Sequence, residues 1–139
     1  MHDPATAPTV RFSDGEQWPA LGLGTWRYGE TAARRSEELH AVRTALETGY
    51  RVIDTAEMYG EGGAEHVVGE AVADALRARV LDRSELRIIS KVYPHNASRA
   101  AMRKACEASL RRLRIDRIDL YLLHWRDLTD ASLWRQGWV

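Results

Sequence analysis

The sequence predicts an α/β protein in which a parallel β-sheet is covered by α-helices. Apolar segments typical of buried strands start near residues 21, 51, 86 and 118, and amphipathic helical patterns separate them. These starts lie roughly 30 to 35 residues apart, the length of one βα unit with its connections. Near-continuous apolar strands that alternate with helices are typical of parallel sheets. A doubly wound open sheet and part of a (β/α)8 barrel both satisfy this pattern, and periodicity alone does not choose between them.

The chain is expected to begin with a β-hairpin. Residues 1–9 are polar and contain prolines, which predicts a flexible N-terminal arm. TVRFSDGEQWPAL (9–21) predicts two short strands around Asp14-Gly15, because Asp-Gly is a favoured two-residue hairpin turn. LGLGTW (21–26) follows as the first strand of the repeating pattern.

Three helices and three further strands complete the pattern. In each helix the apolar residues recur on one face, which is the spacing of a helix packed on one side. Gly49 is expected to stop the first helix and Ser98 to cap the third. The apolar positions are Leu39, Val42, Ala45 and Leu46 within 36–48; Val68, Val72, Ala75 and Leu76; and Met102, Ala105, Leu110 and Leu113. The strands are Val52-Ile53, LRIISKV (86–92) and IDLYLLHW (118–125).

Composition narrows the class of protein. The 139 residues suffice for one domain, and 20 basic residues balance 20 acidic ones. The chain therefore carries no net charge that would favour binding to nucleic acid or to an anionic membrane. Without a signal peptide pattern or a membrane-spanning stretch, we expect a soluble, cytoplasmic protein.

The single cysteine and the arginine pairs favour structural roles. Cys106 is alone, which excludes an internal disulfide, and its place among alanines predicts a buried small hydrophobe. The pairs Arg34-Arg35 and Arg111-Arg112 lie in helical patterns and are expected on solvated faces.

An ionisable residue closes three consecutive apolar strands. Asp54 ends the second strand, Lys91 the third and His124 the fourth, each two positions after an apolar residue. In a barrel, side chains of this parity would point inward at the C-terminal rim, where active sites of that fold lie.

These residues suggest acid–base chemistry. Asp54 and Lys91 are expected to neutralise one another across adjacent strands, and such a pair can also be purely structural. Tyr59, in the loop after the second strand, can overhang the same rim. A phenol beside an ammonium group has its pKa lowered, which makes a tyrosine a general acid and base. His124 would then donate a hydrogen bond to a substrate oxygen.

Several segments together resemble the N-terminal half of an aldo-keto reductase. The resemblance covers residues 10–125, and its SKVYPHNAS stretch is similar to bacterial members that reduce small aldehydes. The matching segments are LGLGTW, GYRVIDTAEMYG, GEGGAEHVVGEA, IISKV and SLRRLRIDRIDLYLLHW.

The resemblance implies a partial (β/α)8 barrel, a β-hairpin followed by about four βα units, that reduces small aldehydes or ketones. NADPH would deliver hydride to the carbonyl carbon while Tyr59 protonates the oxygen. The implied catalytic residues are Asp54, Tyr59, Lys91 and His124. The implied cofactor-binding residues are Gly24, Thr25, Trp26 and Asp54. The implied substrate pocket is formed by Trp26, Tyr59, His124 and Trp125, and no metal is expected.

Length sets this chain apart from a whole barrel. A complete barrel needs about 250 residues, and in the family strands five to eight supply most nicotinamide and 2′-phosphate contacts. Open sheet edges favour self-association into a homo-oligomer or binding of a partner. Residues 126–139 change composition abruptly, with Trp134 and Trp138, and predict an atypical tail from a frameshift or premature stop, or a natural short form.

Three other functions fit parts of the pattern. Lys91 could act as a Schiff-base nucleophile in a lyase or aldolase, although a nearby Asp54 would oppose the neutral amine that this requires. Asp54 and His124 could belong to a metal hydrolase, although paired histidines or clustered carboxylates are missing. The chain could also be a non-catalytic half barrel that binds a partner through its open edges.

Overall fold

A computed structural model describes residues 8–125 of the chain. The predicted tail and most of the predicted N-terminal arm lie outside the described residues. The strands are β1 (Thr9–Arg11), β2 (Gln17–Pro19), β3 (Leu23–Gly24), β4 (Val52–Asp54), β5 (Arg87–Val92) and β6 (Leu120–Leu123). The helices are α1 (Arg35–Glu47), α2 (Gly63–Arg77) and α3 (Arg99–Leu113).

The main sheet has four parallel strands in the order β3-β4-β5-β6. In its register Gly24 lies beside Asp54 and Lys91 beside Leu122. Within residues 8–125, all four predicted strands and the three helices that connect them are therefore present. Two strands are shorter than predicted: β3 has only two residues of the predicted 21–26, and β6 ends one residue before His124.

All three helices follow one another along the same layer, α1 against α2 and α2 against α3. In β5, Ile88, Ser90 and Val92 are buried, whereas Ile89 and Lys91 are only half-buried. One face of the sheet is therefore covered by helices and the other is more open. A doubly wound sheet would have helices on both faces, so this arrangement corresponds to part of a barrel wall.

The hydrophobic core lies between the sheet and the helix layer. Most of the predicted apolar residues of α1 and α2 lie there, whereas Leu113 is the one predicted residue of α3 in this core, and Met102 and Leu110 are half-buried outside it. The predicted Ser98 cap is formed, since its Oγ accepts from the Ala101 amide at 3.2 Å. The fully buried members are Val42, Leu46, Ile53, Val67, Val68, Ala71, Leu86, Ile88 and Leu113.

The β1–β2 hairpin covers the N-terminal end of the sheet. Trp18 is buried, and the Arg87 guanidinium at the start of β5 lies 5.7 Å from its ring centroid. The turn differs from the predicted two-residue type: the Phe12 amide donates to the Glu16 carbonyl at 2.8 Å, which leaves a three-residue loop ending in Gly15 with φ +91°. The extra residue requires this left-handed glycine, as in three-residue hairpin loops.

Two minor predictions from the sequence were wrong. Arg112 is not on a solvated face, because its guanidinium reaches into the layer behind the sheet and pairs with the buried Glu65. Cys106 is half-buried rather than buried, and burial raises the pKa of its thiol. No helix within residues 8–125 combines the length and the apolar character needed to cross a bilayer.

Candidate active site

The site residues meet at the C-terminal edge of the parallel sheet. Asp54 is the last residue of β4, Lys91 the penultimate residue of β5, and His124 directly follows β6. Tyr59 begins the irregular turn Tyr59–Gly62 between β4 and α2. Because parallel strands end at the same edge, four residues distant in sequence come together there.

The Lys91 ammonium group is the centre of the cluster. Its Nζ donates to Asp54 Oδ1 at 2.7 Å, to the Thr55 carbonyl at 2.9 Å and to Tyr59 Oη at 3.2 Å. Three donors with three acceptors account for the whole hydrogen-bonding capacity of an ammonium group. These three contacts therefore fix the direction of the Lys91 side chain.

Tyr59 accepts a hydrogen bond from Lys91 and keeps its own proton free. The ammonium nitrogen also lies 4.8 Å from the centre of the Tyr59 ring. Since the lysine donates to the phenol oxygen, the phenol O–H can point away from Lys91 to a different acceptor. This polarity is what a proton donor at the rim requires.

His124 also packs against Tyr59. The two rings meet edge to face with centroids 5.5 Å apart, and the His124 amide donates to the Val92 carbonyl at 3.0 Å. Burial, and then the Lys91 charge, lower the pKa of His124, while Asp54 and Glu57 oppose the shift. A neutral imidazole is the form favoured at neutral pH, with one N–H to donate.

The three residues of the β3 loop occupy different environments. Gly24 borders Asp54, and a side chain placed on it would meet no atom within 4 Å, so the space beside it is open. Thr25 is fully buried, and its hydroxyl donates to the Asp54 carbonyl at 3.0 Å. Trp26 is 69% exposed. The loop thus presents Gly24 and Trp26 outward, whereas Thr25 supports Asp54 from behind.

Trp125 adds a second exposed aromatic ring beside the site. Its centroid lies 4.9 Å from His124 and 6.2 Å from Tyr93, both in edge-to-face geometry. Tyr93 in turn packs against His95 at 4.7 Å. An aromatic row therefore runs from Tyr59 along one side of the rim.

Sequence reasoning missed the acidic residues that hold this row. Glu57 is buried and accepts from the Tyr93 amide at 2.6 Å and from the Asn96 side chain at 3.1 Å. Glu61 accepts from the Tyr93 hydroxyl at 2.9 Å. Tyr93 could have been found, because it stands two residues after Lys91 and so shares its parity. No local signal assigns partners to Glu57 or Glu61.

The geometry opposes a Schiff-base lyase or aldolase. A Schiff-base lysine must present a neutral amine, but Lys91 is ion-paired with Asp54 and donates three hydrogen bonds. Within residues 8–125, no group of three or more histidine, cysteine and carboxylate side chains is arranged to hold a metal ion.

Known proteins match the chain over most of its length. The model of the aldo/keto reductase family matches residues 20–133. Methylglyoxal reductase YeaE of Escherichia coli is 52% identical over 116 residues, which are 84% of this chain and 38% of that protein. Methylglyoxal reductase DkgA of Yersinia pestis is 39% identical over 132 residues, 93% of this chain and 43% of that protein.

Solved structures match in fold as well. An aldo-keto reductase from Klebsiella pneumoniae in complex with NADPH has 52% sequence identity and a TM-score of 0.74, and the match covers 88% of this chain and 40% of that one. The chain thus spans about two fifths of the length of the relatives it matches. The chain belongs to the aldo/keto reductase family, and its described residues form part of that family's (β/α)8 barrel.

Proposed function

We propose that this chain carries the acid–base part of an NADPH-dependent reductase that converts small aldehydes or ketones to alcohols. The observation that carries the proposal is the hydrogen bond from Lys91 Nζ to Tyr59 Oη, 3.2 Å long. It leaves the phenol proton free for a substrate oxygen and places a positive charge beside the oxygen that must lose that proton.

The residues present fit a hydride-donating cofactor. Asp54, Tyr59, Lys91 and His124 can move protons and stabilise charge, but none of them can supply the electron pair that reduces a carbonyl carbon. The open space at Gly24, next to Asp54, is where a flat ring can approach the rim. Gly24, Trp26 and Asp54 would line that approach, and Thr25 would hold Asp54 in place. NADPH, when bound, supplies the hydride.

Each member of the cluster has a distinct part in the reduction. Tyr59 Oη donates its proton to the carbonyl oxygen as the carbon gains hydride, and the resulting phenolate is reprotonated from solvent. The Lys91 ammonium stabilises the phenolate, and Asp54 keeps that ammonium charged and oriented. His124, as a neutral imidazole, donates its N–H to the same carbonyl oxygen and fixes its direction.

Aromatic residues would form the substrate walls. Trp26 and Trp125 are both exposed, and Trp125 lies edge to face with His124. In this proposal the two tryptophans would form the walls of the pocket, and Tyr59 and His124 would form its floor. Small carbonyl compounds with an apolar or aromatic substituent suit such a surface. YeaE and DkgA are named methylglyoxal reductases, which supports a small aldehyde as substrate.

The test follows NADPH absorbance with methylglyoxal and with an aromatic aldehyde. We expect Tyr59→Phe to lower kcat by about a hundredfold to ten-thousandfold, the usual contribution of a general acid. Tyr50→Phe is the matched control, because Tyr50 is an exposed tyrosine that follows α1. Folded chain without turnover, or equal turnover in Tyr59→Phe, would contradict the proposal.

A second candidate function, binding without catalysis, is favoured by the open face of the sheet. Leu122 is 39% exposed on that face, and within residues 8–125 strands β3 and β6 each pair on one side only. Such a half barrel would associate with a second copy or with a partner. A concentration-dependent dimer in sedimentation, together with no NADPH turnover, would favour this candidate over the reductase.

A further inference from the structure

A buried ionic network lies behind the sheet, on the side opposite the candidate active site. Glu65 is fully buried, and its two carboxylate oxygens accept from Ser90 Oγ and from Arg112 Nε, each at 2.6 Å. Arg112 Nη2 also donates to the buried Ser109 hydroxyl at 3.1 Å. Burying a charge is costly, the attraction of its partner only offsets that cost, and an apolar cluster of similar volume is often at least as stable. Stability alone therefore does not account for this network.

The network joins α2, α3 and β5, of which β5 carries Lys91 and α2 follows the Tyr59 loop. Glu65 is in the first turn of α2, Arg112 is in the last turn of α3, and Ser90 is the neighbour of Lys91 in β5. Side chains of consecutive strand residues point to opposite faces. Ser90 therefore anchors β5 to Glu65 on the helix-covered face of the sheet, and its neighbour Lys91 points to the site from the opposite face.

The loop that carries Tyr59 depends on outside support. Gly60, Glu61 and Gly62 follow it with φ values of +57°, +50° and +88°, a left-handed run that cannot continue a helix or a strand. This short run connects Tyr59 directly to the start of α2. Arg112 also limits the loop directly, since a side chain on Gly62 would lie 2.7 Å from Arg112 Cδ.

We propose that Glu65 is a positioning residue that holds Tyr59 in contact with Lys91. One carboxylate oxygen binds the strand that carries Lys91, and the other binds the arginine that packs under the Tyr59 loop. Because its two oxygens bind two different elements, Glu65 fixes both the distance between these elements and their relative direction. An apolar contact would not do this. The consequence for catalysis rests on the function proposed above, but the contact itself does not.

The contact is measured without turnover by ¹⁹F NMR of the chain labelled with 3-fluorotyrosine. The Tyr59 resonance is assigned with Tyr59→Phe, and the shift caused by Lys91→Met reports how closely the ammonium approaches the phenol. We expect that shift to be largely lost when Glu65→Gln is present and reduced when Ser90→Ala is present. Ser90→Ala is the milder change and carries the test if Glu65→Gln does not fold.

Glu70→Gln is the matched control. Glu70 lies on the same helix and also pairs with an arginine at 2.6 Å, but its partner Arg35 is in α1, away from the Tyr59 loop. We expect the Lys91→Met shift to be unchanged there, even if the free energy of unfolding falls. An undiminished shift in both Glu65→Gln and Ser90→Ala, or an equal loss in Glu70→Gln, would overturn the inference.

Turnover forms a separate arm of the experiment. If the chain reduces methylglyoxal, we expect Glu65→Gln and Ser90→Ala to lower kcat about tenfold to a hundredfold with little change in KM, as misplacement of a catalytic group does. If Glu65→Gln and Ser90→Ala abolish the ¹⁹F shift change caused by Lys91→Met, but the chain shows no turnover, the inference is supported and the proposed reductase is contradicted. If that shift change is retained in both variants of an active chain, the inference is contradicted and the reductase is supported.

Discussion

Three glycine-to-alanine changes test the close contact between the loop after β3 and the start of α2. Gly29 has φ +73°, and a side chain on it would lie 2.2 Å from the Gly63 carbonyl carbon, in the backbone at the start of α2. Gly15 has φ +91° but nothing within 4 Å of the added carbon. Gly24 has open space and no positive φ. The series therefore separates the effect of backbone strain from that of steric overlap.

The expected costs follow from these differences. A left-handed conformation costs a non-glycine residue about 1–2 kcal/mol, and forcing atoms into a closely packed site costs about 1–3 kcal/mol more. We expect Gly29→Ala to lower the free energy of unfolding by about 2–5 kcal/mol and Gly15→Ala by about 1–2 kcal/mol. Gly24→Ala should change it by no more than about 0.5 kcal/mol.

Urea unfolding followed by far-ultraviolet circular dichroism measures all three. The midpoint should shift at constant m, because the surface exposed on unfolding is the same in each variant. Equal costs for Gly29→Ala and Gly15→Ala would refute the close contact between Gly29 and Gly63. A large cost for Gly24→Ala would refute the open space beside Asp54 on which the cofactor proposal relies.

Three further predictions concern titration, reactivity and the lower end of the sheet. Because the pKa of His124 is lowered on folding, the unfolded chain takes up the proton first, and stability should fall as the pH drops below about 6.5. His124→Gln should weaken that dependence in urea titrations at pH 5 and 8, and an unchanged slope would contradict it. Cys106, whose thiol pKa is raised by burial, should react with iodoacetamide at pH 7.5 more slowly than glutathione does; an equal rate would count against its burial. Asp119→Ala should cost about 2–3 kcal/mol, since Asp119 accepts from the Ile88 amide at 2.9 Å and from Arg83 at 2.8 Å, and a loss under 0.5 kcal/mol would be too small for this role.

Most elements of the fold could be predicted because their signals are local. The apolar positions of α1, such as Val42 and Leu46, are fully buried as the helical spacing indicated. The length of β3 could not be predicted, since LGLGTW is apolar throughout but only Leu23 and Gly24 pair with β4. Strand ends depend on the hydrogen-bonding partner, which local sequence does not contain.

The candidate site, too, could be predicted only in part from the sequence. Strand parity alone predicts that Asp54, Lys91 and His124 lie at one rim. The supporting residues were not foreseen: Arg112 was expected on a solvated face, and nothing singled out Glu65. Glu65 and Arg112 pair with one another, and because they lie far apart in the sequence no local pattern indicates this contact.

By itself, therefore, the sequence determined the repeating βα pattern and the set of residues able to do acid–base chemistry at one edge. Periodicity and polarity are properties of neighbouring residues, so the sequence alone contains them. The tertiary structure alone decided that the helices cover one face, that the Lys91 ammonium donates to Tyr59, and that Thr25 turns behind Asp54. Those facts depend on register and on the packing of α2 and α3, which bring together atoms separated by tens of residues.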